Sequence, residues 1–192
     1  MAPGGTGPIE AAVRLLDGTV VVALFLGLLV SVPLGVVFAR RAGRSPVLMV
    51  LTIFSVVFVA VATLQMGRAG GGVLDRDPFD HMSFSGLGRC LSITDGGLRL
   101  TSNEARLNLA LYMPFGVFAT LALGRPWRVL AWSIALILLM EGLQSILDVG
   151  ICSGVDVVTN VVGVAIAIAA TVAIRRLVAS LRDRDRDRRA PR

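Results

Sequence analysis

The chain has 192 residues, 55% of them hydrophobic, and a mean hydropathy of +0.77. This apolar share exceeds the roughly 45 to 50% of soluble domains, which excludes an ordinary water-soluble fold. The formal net charge is +6, but every basic residue is an arginine placed between apolar segments or near the chain ends, so the charge indicates membrane topology and not nucleic-acid binding.

Five apolar segments are long enough to cross a hydrocarbon core about 30 Å thick, which requires roughly 20 residues of helix. They lie at residues 18–39, 46–66, 107–124, 127–147 and 156–174. The first is too long for the apolar run of a cleaved signal peptide and has little positive charge before it, so we expect it in the mature protein. The predicted fold class is all-α, a polytopic membrane bundle of five transmembrane helices.

The third segment is the most polar of the five, since it carries Asn108, Tyr112 and Pro114. Proline lacks a backbone N–H and its ring collides with the carbonyl of the preceding turn, so Pro114 should kink this helix. Thr101 and Glu104 have the spacing of a capping box, which predicts that the helix begins ahead of the apolar segment.

The distribution of arginine predicts an orientation, because positive charge is retained on the cytoplasmic side. Thirteen of the 19 arginines lie in the turns at 40–45 and 125–128 or after residue 174. This places the N-terminus outside and the C-terminus in the cytoplasm. The expected parts are an extracytoplasmic segment at 1–17, two helices at 18–66, an extracytoplasmic loop at 67–106, a three-helix core at 107–177 and a disordered Arg/Asp tail at 178–192.

Polar side chains inside apolar helices are costly and usually face the bundle interior. The last three segments carry such residues at helical spacing, and the expected orientation brings all of them toward the outer membrane surface. They are Asn108, Tyr112, Glu141, Gln144, Asp156 and Asn160. These side chains either hydrogen-bond the helices to one another or line an outer-leaflet pocket for a headgroup, peptide or sugar, and the two interpretations are compatible.

Small residues in the same segments are candidates for close helix packing. Gly163 and Ala167 form a small-xxx-small pair, which lets two helix backbones approach each other. We assign Pro114 and Gly116 of the third segment to helix packing as well.

Both cysteines, Cys90 and Cys152, fall on the predicted outer side. An even number of cysteines in an oxidising compartment favours a disulfide over two free thiols. The bond would tie the long loop over the mouth of the polar pocket. The acidic run at 75–81 does not have the spacing of a calcium loop, and the single histidine excludes the HExxH motif, so we expect neither a metal site nor a cofactor.

Three motifs follow one another along the last three segments: Asn108 with Pro114-Phe115-Gly116, then Glu141 with Gln144, then Asp156 with Asn160 and Gly163. In this order they resemble the VanZ-like family, small polytopic proteins named for a member linked to teicoplanin resistance. The resemblance implies a bacterial cell membrane and an envelope or antibiotic-protection role. The family often has an arginine shortly before the last motif, and residues 148–156 here contain none.

These observations support three hypotheses. The favoured one is a non-catalytic protein whose outer pocket binds an envelope component or a lipoglycopeptide. A membrane enzyme that modifies a lipid or cell-wall precursor is the second, with Glu141 or Asp156 as general acid or base. A subunit that stabilises a partner protein is the third. Membrane lipids are the expected partners, with an amphiphilic antibiotic or cell-wall precursor as the ligand and no nucleic acid.

Overall fold

The computed structural model describes residues 18–65, 103–147 and 154–189, and these residues form helices without any strand. The helices are α1 (Gly18–Ala42), α2 (Pro46–Gln65), α3 (Asn103–Leu111), α4 (Met113–Leu123), α5 (Pro126–Ile146) and α6 (Gly154–Arg189). α3 and α4 are the two halves of one span. The described residues therefore provide five helices that are long and apolar enough to cross a membrane, which confirms the predicted fold class.

α1 and α2 form a tight antiparallel hairpin. α1 ends in a Schellman turn, in which Gly43 has a φ of 61° and the Arg44 amide donates to the Ala39 carbonyl at 2.9 Å. Earlier in α1, a Cβ on Gly35 would lie 2.7 Å from the backbone of Val50. The glycine therefore allows the two helix backbones to pack in direct contact.

The third span is broken where its sequence predicts a kink. Tyr112 separates α3 from α4, with φ −93° and ψ −4°, and Pro114 occupies the first turn of α4, where a missing N–H costs least. The Gly116 amide still donates to the Tyr112 carbonyl at 3.1 Å, so backbone hydrogen bonding resumes directly after the break. The span begins at Asn103, ahead of the apolar segment.

α6 is the central helix of the bundle, since it packs against α3, α4 and α5. α2 closes the other side through α4 and α5, whereas α1 packs mainly against α2. The buried apolar core includes Tyr112, Phe115, Ile137, Met140 and Val164. Large apolar side chains on α1 face outward, which suits contact with lipid tails.

The C-terminal end of α6 differs from the sequence-based expectation. Residues 178–192 were expected to be disordered, but the helix runs to Arg189. Alternating Arg and Asp places opposite charges three residues apart, as at Arg182 and Asp185, a spacing that supports a helix. With 36 residues α6 is about 54 Å long, so it exceeds the roughly 30 Å hydrocarbon core.

Candidate functional site

The polar residues of the last three spans meet at one end of the bundle. This end contains the first turns of α3, the last turns of α5 and the first turns of α6, because successive spans run in opposite directions. We call the six side chains there the polar cluster: Asn108, Tyr112, Glu141, Gln144, Asp156 and Asn160.

The shallower part of the polar cluster joins α3 to α6. The Asn108 side-chain amide donates from Nδ2 to Asp156 Oδ1 at 2.6 Å. Both side chains are half-buried and lie in the outer turns of their helices. A hydrogen bond from an amide to a carboxylate is stronger than one between two neutral groups, so this pair holds the first turns of α6 against α3.

The deeper part joins α5 to α6. Asn160 Nδ2 donates to Glu141 Oε1 at 3.4 Å, a long hydrogen bond between two buried side chains that are 1% and 5% exposed. Glu141 lies five residues before the end of α5 and Asn160 six residues after the start of α6, or about 8 and 9 Å along their helices. A carboxyl group thus lies well inside the bundle.

Tyr112 is also buried in this part of the bundle. Its side chain is 0% exposed and belongs to one buried group with Met140, which precedes Glu141, and Val164, which lies one turn after Asn160. The Glu141 carboxyl interacts electrostatically with the Tyr112 hydroxyl. Within the described residues, neither Tyr112 Oη nor Asn160 Oδ1 has a hydrogen-bond partner.

Gln144 forms its hydrogen bond to a helix outside the last three spans. Its Nε2 donates to the backbone carbonyl of Thr63 on α2 at 2.9 Å, so it ties α5 to the first half of the chain. The polar residues predicted from the sequence lie only on the last three spans and do not include Thr63. A backbone carbonyl has no side-chain signature that could have revealed this partner.

The residues assigned to helix packing lie at the crossings of α6 with the third span. A Cβ on Gly163 would collide with the Leu109 carbonyl oxygen of α3. A Cβ on Gly116 would lie 2.9 Å from Val164 and 3.1 Å from Ala167. Pro114 stands in the first turn of α4.

The opposite end of the bundle has its own polar contact. Arg175 of α6 donates from Nη1 to the Thr120 carbonyl at 3.5 Å, beside the left-handed Gly124 that ends α4. This contact caps α4 and does not reach the polar cluster. No sequence motif indicates this contact.

Several sequence predictions fall outside the described residues. These are the disulfide between Cys90 and Cys152, the acidic run at 75–81 and most of the long loop at 67–106. They remain predictions. The orientation of the termini remains a prediction as well.

The fold and the polar cluster define a polytopic membrane protein with a hydrogen-bonded site between its last three spans. Within that class, the chain belongs to the VanZ/LLP1 family, whose model matches residues 78–175. The match contains all three motifs, from Asn108 to Gly163. No curated protein and no solved structure matches the chain.

Proposed function

We propose that this protein acts in the bacterial cell membrane, where the polar cluster binds the polar head of an envelope component or of an amphiphilic antibiotic. Binding of the antibiotic reduces its action on the cell. The observation that carries the proposal is the convergence of amide and carboxyl groups from three helices at one end of the bundle. Ionisable residues inside membrane spans commonly mark functional sites.

Expression in a glycopeptide-sensitive host tests the antibiotic part of the proposal. Teicoplanin carries a lipid tail and vancomycin does not, so we expect reduced susceptibility to teicoplanin alone. Asn160→Leu should abolish the protection, because it removes the amide that joins α6 to Glu141. Ser133→Ala is the matched control, since Ser133 is buried on α5 and, among the described residues, its hydroxyl bonds only to the Val129 carbonyl of its own helix. Unchanged susceptibility to both antibiotics in wild-type cells would count against protection.

A membrane enzyme is the second candidate, and the buried Glu141 beside Asn160 and Tyr112 favours it. A carboxyl group held at that depth is suited to general acid or base catalysis on a lipid or cell-wall precursor. The test compares the lipids and precursors of a deletion strain restored with the wild type or with Glu141→Gln. A precursor that accumulates only in the Glu141→Gln strain supports catalysis, and identical profiles contradict it.

We also propose that a Cys90–Cys152 disulfide holds the long loop over the polar cluster. Both cysteines lie on the side predicted to face an oxidising compartment. Cys90→Ser should then remove a mobility difference between reduced and non-reduced gels. The absence of such a difference in the wild type would contradict the bond.

A further inference from the structure

Two oxygen atoms in the deeper part of the polar cluster could each accept a hydrogen bond but have no partner within the described residues. Tyr112 Oη and Asn160 Oδ1 belong to side chains that are 0% and 1% exposed, and neither has a partner within the described residues. Native proteins satisfy nearly all buried polar atoms, either internally or through something bound. The Glu141 carboxyl accepts from Nδ2 of the same Asn160 at 3.4 Å and interacts electrostatically with Tyr112.

The charged side chains of the polar cluster limit which kinds of ligand it can bind. The acidic side chains of the polar cluster are Glu141 and Asp156. In the described turns of α2, α3, α5 and α6 at this end, the one basic residue is Arg106, and it is exposed in the first turn of α3. The chain contains no lysine. A phosphate or carboxylate would meet like charge there, whereas a cation would meet opposite charge.

The number of acceptors indicates the kind of cation. A primary ammonium has three N–H donors and no acceptor. Glu141, Asn160 and Tyr112 together offer acceptor oxygens from three buried side chains. A quaternary ammonium has no N–H donor for these atoms, and a guanidinium is a larger, planar group whose five donors point in a fixed fork.

We propose that the deeper part of the polar cluster binds a primary ammonium group, held by Glu141, Asn160 and Tyr112. This assignment rests on the proposed function, because it names the chemical class of ligand for the same site. The ammonium belongs either to a membrane aminolipid headgroup or to a small soluble amine. Its positive charge compensates the buried carboxylate while its N–H groups satisfy the two left-over atoms.

An N-methylation series tests this assignment, because it preserves the positive charge and removes the N–H donors one at a time. The full chain in non-ionic detergent is titrated with short-chain phosphatidylethanolamine and with its mono-, di- and trimethylated analogues. Binding is followed by native mass spectrometry. We expect a graded loss of affinity, with the trimethylated lipid about tenfold or more weaker than the parent, since its charge-assisted hydrogen bonds are gone.

Variants test whether the proposed side chains cause the preference for the unmethylated lipid. Glu141→Gln and Tyr112→Phe preserve side-chain volume and should remove the preference for the unmethylated lipid, whereas Ser133→Ala should retain it. Circular dichroism and gel filtration establish that each variant is folded. Should Glu141→Gln not fold, Tyr112→Phe alone decides, because it deletes a single hydroxyl.

The outcomes separate this inference from the proposed function. Competition by soluble ethanolamine assigns the ammonium to a small amine, and its failure to compete assigns it to the lipid; both support the site. Equal binding of all four lipids, lost in Asn160→Leu, overturns the ammonium assignment while the pocket stands. A preference for the unmethylated lipid that persists in Glu141→Gln also overturns it, because the charge of Glu141 would then not be needed for binding. The Glu141 carboxyl would instead be neutral and would donate a hydrogen bond within the protein. Lipid and teicoplanin binding that no cluster variant alters overturns both proposals.

Discussion

Gly163 shows how a single missing side chain allows the site to form. The backbone of α6 lies against the Leu109 carbonyl of α3 at this residue, where even a methyl group would collide. Asn160 is one turn away on the same helix. The close approach therefore holds α6 at the distance from α3 at which Asn108 reaches Asp156.

Gly163→Ala should lower the free energy of unfolding by about 1 to 3 kcal/mol, as overpacking does in dense interiors. The obstacle is backbone, which cannot move as a flexible side chain would. Thermal unfolding of the detergent-solubilised protein measures the change. Gly18→Ala is the control, because a Cβ at Gly18 meets nothing within 4 Å. Equal stability of the two variants would contradict the packing argument.

The Asn108–Asp156 bond can be measured by a double-mutant cycle. Asn108→Ala, Asp156→Ala and the double variant should give a coupling free energy of about 0.6 to 2 kcal/mol, the range found for hydrogen bonds between membrane helices. Pairing Asn108→Ala with Ser133→Ala is the comparison, and these two effects should add. A coupling near zero for the first pair would show that the 2.6 Å contact contributes nothing to stability.

At the scale of elements, the broken third span determines where Tyr112 points. Pro114 ends the continuous hydrogen bonding of α3. Tyr112 lies at the junction of α3 and α4, and its side chain is fully buried. The kink was readable from the sequence because it depends on one covalent ring. The burial of Tyr112 was not, because it depends on the positions of α5 and α6.

The α1–α2 hairpin depends on a backbone conformation at Gly43. Gly43→Ala should destabilise the protein by about 1 kcal/mol, since a Cβ is disfavoured at a φ of 61° although open space surrounds it. Chemical denaturation measures this loss against Gly18→Ala. The effect is expected to be smaller than that of Gly163→Ala, and a larger one would mean that the hairpin turn limits the stability of the bundle.

At the scale of the whole molecule, α6 joins the site to the far end of the bundle. Its first turns carry Asp156 and Asn160, and Arg175 caps α4 at the opposite end. α1 stands outside this arrangement and packs mainly on α2. The polar cluster is therefore built from the part of the chain that the family match covers, except for the contact to Thr63.

The predicted orientation can be tested on the intact protein. Alkaline phosphatase fused after Arg192 should be inactive and a fluorescent protein at the same point should fluoresce, because the arginine-rich end is expected in the cytoplasm. A phosphatase fused at the N-terminus should be active. The reverse pattern would place the polar cluster at the cytoplasmic surface and remove the basis of the antibiotic proposal.

By itself, the sequence determined the five spans, the kink at Pro114 and the helices that carry Asn108, Glu141, Asp156 and Asn160, because span length, proline chemistry and helical spacing are local properties. The helical tail was missed because its composition alone suggested disorder. Only the tertiary structure decided that Gln144 donates to the Thr63 carbonyl and that Tyr112 Oη and Asn160 Oδ1 have no hydrogen-bond partner among the described residues. Those features depend on how far apart the helices pack, and a hydrogen bond changes partners over a distance of about 1 Å.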